Sequence, residues 1–337
     1  MVFRFLFLTL IVFYFFTGCD QNRNQVLPKS TGKPLEMIVV ADSVVWFSGL
    51  NDAVESVFLA EHPGLPQREP LFSLYFIDKR HFEQIFKTTR SILYLEIDPS
   101  LKKPKFALQH DVWAKPQLVV NIFAPNVSDL IKILNKNQSK LAFLFRDFEV
   151  NLQIEELKER NNVKIYKEIK SQWGHSPLIP IAFLKATEKK DFFWFRRDRM
   201  VGDHEILDGF FYYKTPYLAN SDWHLKSIIH KRDSVLNLYV HGRLPNSFMA
   251  TEKLYLPDTF EYKKGPFYVK EIRGLWRMIN ETMGGPFIMQ VYLDTAANEL
   301  YYVDAYLYAP YFDKRKFVLE LEAVTKSMDA VEINLAD

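Results

Sequence analysis

Residues 271–287 read EIRGLWRMINETMGGPF, and the fold of the second half of the chain turns on how they are divided. Taken as a strand, Tyr268 to Met278 splits by two-residue alternation into two faces. One face holds Tyr268, Ile272, Gly274, Trp276 and Met278, and the other holds Glu271, Arg273 and Arg277 around Leu275. The first face reads as core. On the second, two arginines at successive same-face positions make either an ion-pair ladder with Glu271 or a fork for a carboxylate or phosphate, because a planar guanidinium matches a bidentate oxyanion. Gly284-Gly285-Pro286 then predicts a turn: glycine permits positive φ, and proline fixes the exit into the next strand.

Upstream, a helix is predicted over Asp222 to His241, ended by Gly242. Leu225, Ile228, Ile229, Val235, Leu236 and Tyr239 share one stripe of it, and Arg232 falls on that stripe. A guanidinium there needs a partner, such as Glu271, or a ligand, since an unpaired buried charge is prohibitive. Arg232, Arg273 and Arg277 are therefore the candidate anion-binding set, with structural ion pairs as the competing reading.

Strand and helix signals alternate on both sides of this region. In the first half EMIVVAD (Glu36 to Asp42), LFSLYFID (Leu71 to Asp78), SILYLEID (Ser91 to Asp98) and QLVVNIFAP (Gln117 to Pro125) read as strands. Helices are expected between Ser48 as N-cap and Pro63 as stop, over HFEQIFKTTR, from about Asn126, and from about Lys140 to Arg160. In the second half DFFWFRR, GFFYYKTPY, Phe287 to Leu293 and Glu299 to Ala309 are further strands, and Phe317, Val318, Leu321 and Val324 mark a last helix. The prediction is an α+β fold of two α/β-sandwich-like lobes with mixed or antiparallel sheets. The first lobe spans 35–165, a connector 166–185, and the second lobe 186–337. NIFAP (Asn121 to Pro125) and YLYAP (Tyr306 to Pro310) each end a strand before a helix. That echo raises a duplication of one lobe, against the plainer reading that Ala-Pro is a convenient strand-to-helix connector.

The first nineteen residues, MVFRFLFLTLIVFYFFTGC, show one basic residue, an apolar run from Phe5 to Phe16, and then Thr17-Gly18-Cys19. This is the three-part pattern of a secretory signal, and the run is shorter than the roughly 20 residues of a membrane span. Cys19 is the only cysteine, placed like the lipidated residue of a lipobox, so residues 1–19 read as a lipoprotein signal and 20–34 as a flexible tether. Intrachain disulfides are then excluded, and the expected location is the bacterial cell envelope, lipid-anchored and facing the periplasm. The formal charge is +2 with acids and bases interspersed, which excludes the basic stripe of a nucleic-acid binder. Aromatic residues make up 15% of the chain, enough for bulky cores and for a carbohydrate or peptide groove besides.

The second lobe resembles an uncharacterised family of cell-envelope lipoproteins known chiefly from Bacteroidetes-type bacteria, a domain of unknown function. The resemblance rests on HKRDSVL (His230 to Leu236), SFMATE (Ser247 to Glu252), EIRGLWR (Glu271 to Arg277), ETMGGPF (Glu281 to Phe287) and YLYAPYFDKRKF (Tyr306 to Phe317). The first lobe adds STGKP (Ser30 to Pro34) and PGLPQREPLF (Pro63 to Phe72). The resemblance implies an envelope lipoprotein and carries no activity or site with it.

Asp42, Asp78 and Asp98 each end a predicted strand, and parallel neighbours would gather them at one sheet edge as an acidic cluster. Helix capping and turn formation explain the same residues locally. Asp203-His204-Glu205 with Asp208 supplies metal-ligand types without the spacing of a zinc motif. Gly-x-Ser-x-Gly, His-Glu-x-x-His and a phosphate-cradling glycine loop are all absent, so neither cofactor nor metal is expected. The sequence points to a non-catalytic binding or assembly protein held at a membrane by its lipid. Its candidate partners are an anionic small molecule, a glycan or an envelope protein. The alternative is an envelope-polymer hydrolase with its site between the lobes.

Overall fold

The computed structural model describes residues 26–331, so the signal segment and Cys19 lie outside the described residues. In the first half, strands β1 (Glu36–Ala41), β2 (Ser73–Asp78), β3 (Ser91–Ile97), β4 (Lys105–His110) and β5 (Leu118–Ala124) form one sheet in the order β2-β1-β3-β5-β4. The first three and β5 run parallel, and β4 is antiparallel to β5. Central parallel strands are covered on both faces, which is why IVV, ILYL and LVV are nearly continuous apolar runs. Helices α1 (Ser43–Val45), α2 (Asn51–Phe58), α3 (Gln84–Lys87), α4 (Val127–Lys136) and α5 (Gln138–Glu159) belong to this half. One face, with Met37, Val39, Leu93, Leu95, Val120 and Ile122, packs under α2, α4 and α5. The opposite face, with Ile38, Val40, Ile92 and Val119, is covered by Phe82, Phe86 and Trp113. Sequence reading missed β4, an antiparallel edge strand whose residues KFALQH are all exposed and which lacks the continuous apolar run of the parallel strands. It also placed an N-cap at Ser48, whose hydroxyl instead donates to the Val45 carbonyl, with α2 starting at Asn51.

The second half contains helices α6 (Val163–Trp173), α7 (Leu225–Tyr239) and α8 (Arg315–Thr325). Its strands are β6 (Leu184–Lys189), β7 (Phe192–Val201), β8 (His204–Pro216), β9 (Phe248–Thr251), β10 (Asp258–Lys264), β11 (Phe267–Ile279), β12 (Gly284–Asp294) and β13 (Glu299–Tyr308). The sheet is antiparallel, ordered β10-β11-β12-β13-β8-β7-β6, with β9 paired to the far end of β11. Helix α7 covers one face through Ile228 and Leu236 against Ile272, Trp276 and Met289. The other face, with Ile288, Tyr292 and Val303, packs under α6 and α8. Helix α6 runs through much of the segment read as a connector; its Tyr166, Ile169 and Trp173 are buried, and the Trp173 ring meets Phe193 and Tyr212.

Two expectations for the opening stretch change. Both faces of β11 are buried apart from Tyr268 and Arg277, so Glu271 and Arg273 pair in the interior rather than in a surface ladder. Gly284-Gly285-Pro286 is not a turn: it starts β12, opposite Arg277, Trp276 and Leu275, and the chain reverses just before it, where Asn280 takes a positive φ. The glycines serve close approach instead, since a Cβ on Gly285 would stand 2.1 Å from the Leu307 carbonyl oxygen. The two sheets differ in strand number and direction, and NIFAP and YLYAP close β5 and β13, each ahead of a helix.

The halves join through α5, which packs on α8, and one apolar cluster runs through both. Glu69, buried in the loop after α2, accepts from the backbone N–H groups of Lys314 (2.7 Å) and Arg315 (2.9 Å) at the start of α8. A carboxylate there also meets the positive end of the helix dipole. Gly64, at φ 75°, lies against β11 so closely that a Cβ would be 2.8 Å from that of Arg273. Among the described residues, no helix is long and apolar enough to cross a membrane.

Candidate functional site

Where α5 faces β10, β11 and α8, the two halves enclose a cavity of about 750 Å³. Its size suits a small organic ligand. Along α5, residues 142, 143, 146, 147, 150, 151 and 154 recur at helical spacing and line one wall. The opposing wall is Phe260, Tyr262 and Lys264 of β10, which alternation aims to the same side. Glu271 and Arg273 of β11 with Glu322 and Lys326 at α8 complete the polar floor.

The floor is a nearly closed charge network. Arg273 donates to Glu271 through Nε (2.6 Å) and lies 2.6 Å from Glu322 through Nη2. Arg146 pairs with the other oxygen of Glu322. Lys326 lies 3.0 Å from Glu271 and 2.8 Å from Glu322, while Gln290 donates to Glu271 (2.8 Å) and Tyr262 to Gln290 (2.9 Å). Burial would push the Glu322 carboxyl up, but Arg146, Arg273 and Lys326 hold it well below the usual carboxylate range. Glu271 is lowered against burial in the same way by Arg273 and Lys326. On the floor three cations face two carboxylates, and with Glu61, Asp147, Glu261, Lys263 and Lys264 the lining as a whole holds five acids and five bases. Burial and the neighbouring Lys326 bring Lys264 down to about 8.

Two terminal nitrogens of this network, Nη1 of Arg146 and Nη1 of Arg273, have no hydrogen-bond partner among the described residues. Buried polar groups are overwhelmingly paired, so orphan guanidinium donors beside a cavity call for an acceptor. Behind them His62 bonds Pro63 O through Nδ1 and leaves Nε2 equally unpartnered. Burial and the charges of Arg146 and Arg273 hold its pKa well down, so it is a neutral acceptor.

Of the three candidate arginines only Arg273 belongs to this site. Arg232 lies under the opposite face of the sheet, fully buried, with Nε 2.8 Å and Nη2 3.4 Å from the Asp304 carboxylate and Nη1 2.9 Å from Thr251 Oγ1. Its guanidinium sits 3.9 Å above the Phe287 ring. Every arm is satisfied, by Asp304 rather than by Glu271. Burial pushes the Asp304 carboxyl up to about 6 despite that pairing. Arg277 is half-exposed and 3.7 Å from Glu252. The set does not assemble, because Arg232 and Arg273 address opposite sides of one sheet.

Parallel pairing does bring the ends of β2, β1 and β3 to one edge, yet each aspartate there is taken locally. Asp42 accepts from Val44 N (2.8 Å), Asp78 from Ser43 N and Arg80, and Asp98 from Ser100 N and Oγ. Asp208, proposed beside Asp203, His204 and Glu205, is buried between Arg197 (2.5 Å) and Arg199 (2.9 Å). His204 stacks on Tyr311. No group of three His, Cys, Asp or Glu able to hold a metal occurs among the described residues.

Sequence reading missed Arg146, Glu322, Lys326 and Glu69. Arg146 directly follows the apolar run LAFLF of α5, a helix without a sharply divided apolar face, so it gave a weaker signal than Arg232 on α7. Glu322 carried another, an acid inside the apolar run VLELEAV.

The geometry defines an α+β protein with two sheets and a charged cavity where its halves meet. Comparison with known families divides the chain at the same place: residues 162–327 match a domain of unknown function (DUF4837) and residues 30–158 match a second one (DUF8532). No curated protein matches the chain.

Proposed function

We propose that this is a non-catalytic binding protein of the bacterial cell envelope, tethered to a membrane through Cys19, which takes an anionic ligand into the cavity between its halves. The observation that carries the reading is the pair of buried, unpartnered guanidinium nitrogens on Arg146 and Arg273, two residues that line the cavity. An arriving carboxylate or phosphate would supply the acceptor those donors lack. Binding is favoured over hydrolysis because a polymer hydrolase of the two-carboxylate kind needs one acid protonated near neutral pH. Glu271 and Glu322 are both held ionised by their cationic neighbours.

The site is tested by titrating the full chain carrying Cys19→Ala with hexanoate, hexyl phosphate and hexanol. The acids should bind and the alcohol should not, and Arg146→Gln should weaken the acids about tenfold to a hundredfold, the range for a lost charged hydrogen bond. Equal binding of acid and alcohol, or acid binding indifferent to Arg146→Gln, overturns the reading. The tether is tested separately: wild type should incorporate labelled fatty acid and Cys19→Ala should not.

A further inference from the structure

Resting on the anion site just described, we infer that the ligand is a long-chain anionic amphiphile, its acidic head on Arg146 and Arg273 and its apolar chain along α5. The cavity is two-toned. Its buried ion-pair network forms the floor, with further charges at Glu61, Asp147, Glu261, Lys263 and Lys264, yet most of the exposed wall is apolar, contributed by Leu71, Ala142, Phe143, Val150, Ile154 and Phe260. The apolar positions of α5 run from residue 142 to residue 154, about 18 Å of helix at 1.5 Å per residue. A compact anion such as free phosphate would satisfy the floor and leave this length of wall in water.

The opening carries the same signature. Phe143 is 62% exposed and Phe260 51% exposed, two large rings on facing walls. Immediately before β10, Leu254, Tyr255 and Leu256 are exposed by 84%, 62% and 90%. Scattered surface apolar residues are ordinary, but a run of three adjoining the strand that forms a cavity wall is a concentrated apolar patch. A chain seated between Phe143 and Phe260 would cover both rings.

The chemistry fits without any covalent step. The head brings the acceptor oxygens that the two guanidinium groups lack, and the chain gains from leaving water in proportion to its length. A fatty carboxylate and an alkyl phosphate share this chemistry, so both are used as probes.

The test is a calorimetric series on the full chain with Cys19→Ala, from hexanoate through octanoate and decanoate to dodecanoate, with dodecyl phosphate as a parallel arm, each below its micellar concentration. Affinity should rise about three- to fourfold per added methylene, as expected for burial of each CH2. Phe143→Ser, at an exposed position that leaves the melting temperature unchanged, should weaken dodecanoate at least fivefold. Hexanoate binding with no gain along the series overturns the amphiphile and leaves the anion site standing. Unchanged dodecanoate affinity in Phe143→Ser likewise overturns the placement of the chain. Failure of every member to bind, short or long, sinks the anion site and this inference together.

Discussion

Arg273 Nη2 lies 2.6 Å from Glu322 Oε1, tying β11 to α8 at the floor of the cavity. Glu322 also answers Arg146 from α5 and Lys326 from its own helix, so one carboxylate fastens three elements from both halves. Removing one partner of a buried ion pair leaves the others uncompensated.

Glu322→Gln should therefore cost about 3–5 kcal/mol in urea unfolding, the range for a broken buried pair. Arg277→Lys, at a half-exposed position whose ion pair with Glu252 spans 3.7 Å, should stay within about 0.5 kcal/mol. A Glu322→Gln variant as stable as wild type would show that the network contributes nothing net.

The Arg232–Asp304 pair should behave as one unit. Arg232→Met strands a buried carboxylate and Asp304→Leu strands a buried guanidinium, so each single change should be costly, at about 3–5 kcal/mol. The double variant replaces both charges with apolar groups and should recover much of that loss. A double-mutant cycle reads the coupling, and strict additivity would contradict the pairing.

Gly285→Ala should be more damaging than Gly274→Ala. The added methyl at 285 meets the Leu307 carbonyl oxygen at 2.1 Å, which can move only with the β13 backbone, whereas at 274 it meets the Phe287 ring at 2.7 Å. Overpacking of this kind costs about 1–3 kcal/mol where side chains can adjust, and Gly285→Ala should reach or exceed the top of that range. Melting temperatures of the two variants give the comparison.

His175 joins Asp329 through Nδ1 (2.5 Å) and Asp294 through Nε2 (3.2 Å), linking the end of α6 to the β12–β13 turn and the chain beyond α8. Burial works against its charge, but the two carboxylates raise its pKa above the ordinary value. A raised histidine contributes fully below its unfolded value of about 6.5 and loses the contribution as pH rises through the folded value. Asp294 and Asp329 are lowered, so their share is complete above about 3.9 and is lost as pH falls. The stability difference between wild type and His175→Asn should accordingly peak near about pH 5 to 6 and shrink on either side. A difference flat from pH 4 to 9 would exclude the charged tie.

Local pattern alone determined a good deal of this protein. Two-residue alternation separated Ile272, Trp276 and Met278 from Glu271 and Arg273 on β11, and the helical stripe of α7 put Arg232 where it needed a partner or a ligand. Asn126, expected to start a helix, caps α4 by accepting from Asp129 N. These are short-range facts, set by backbone geometry within a few residues. What lies across from a face is not among them. Arg232 meets Asp304, 72 positions away, and Arg146 meets Glu322, 176 positions away, because strand order and the α5–α8 packing bring them together. Only the tertiary structure put Arg273 and Arg232 on opposite sides of one sheet and turned Gly284-Gly285 from a predicted turn into a close strand contact. It alone made a cavity, since a concave site needs walls from both halves, and no periodicity within either half records the distance to the other.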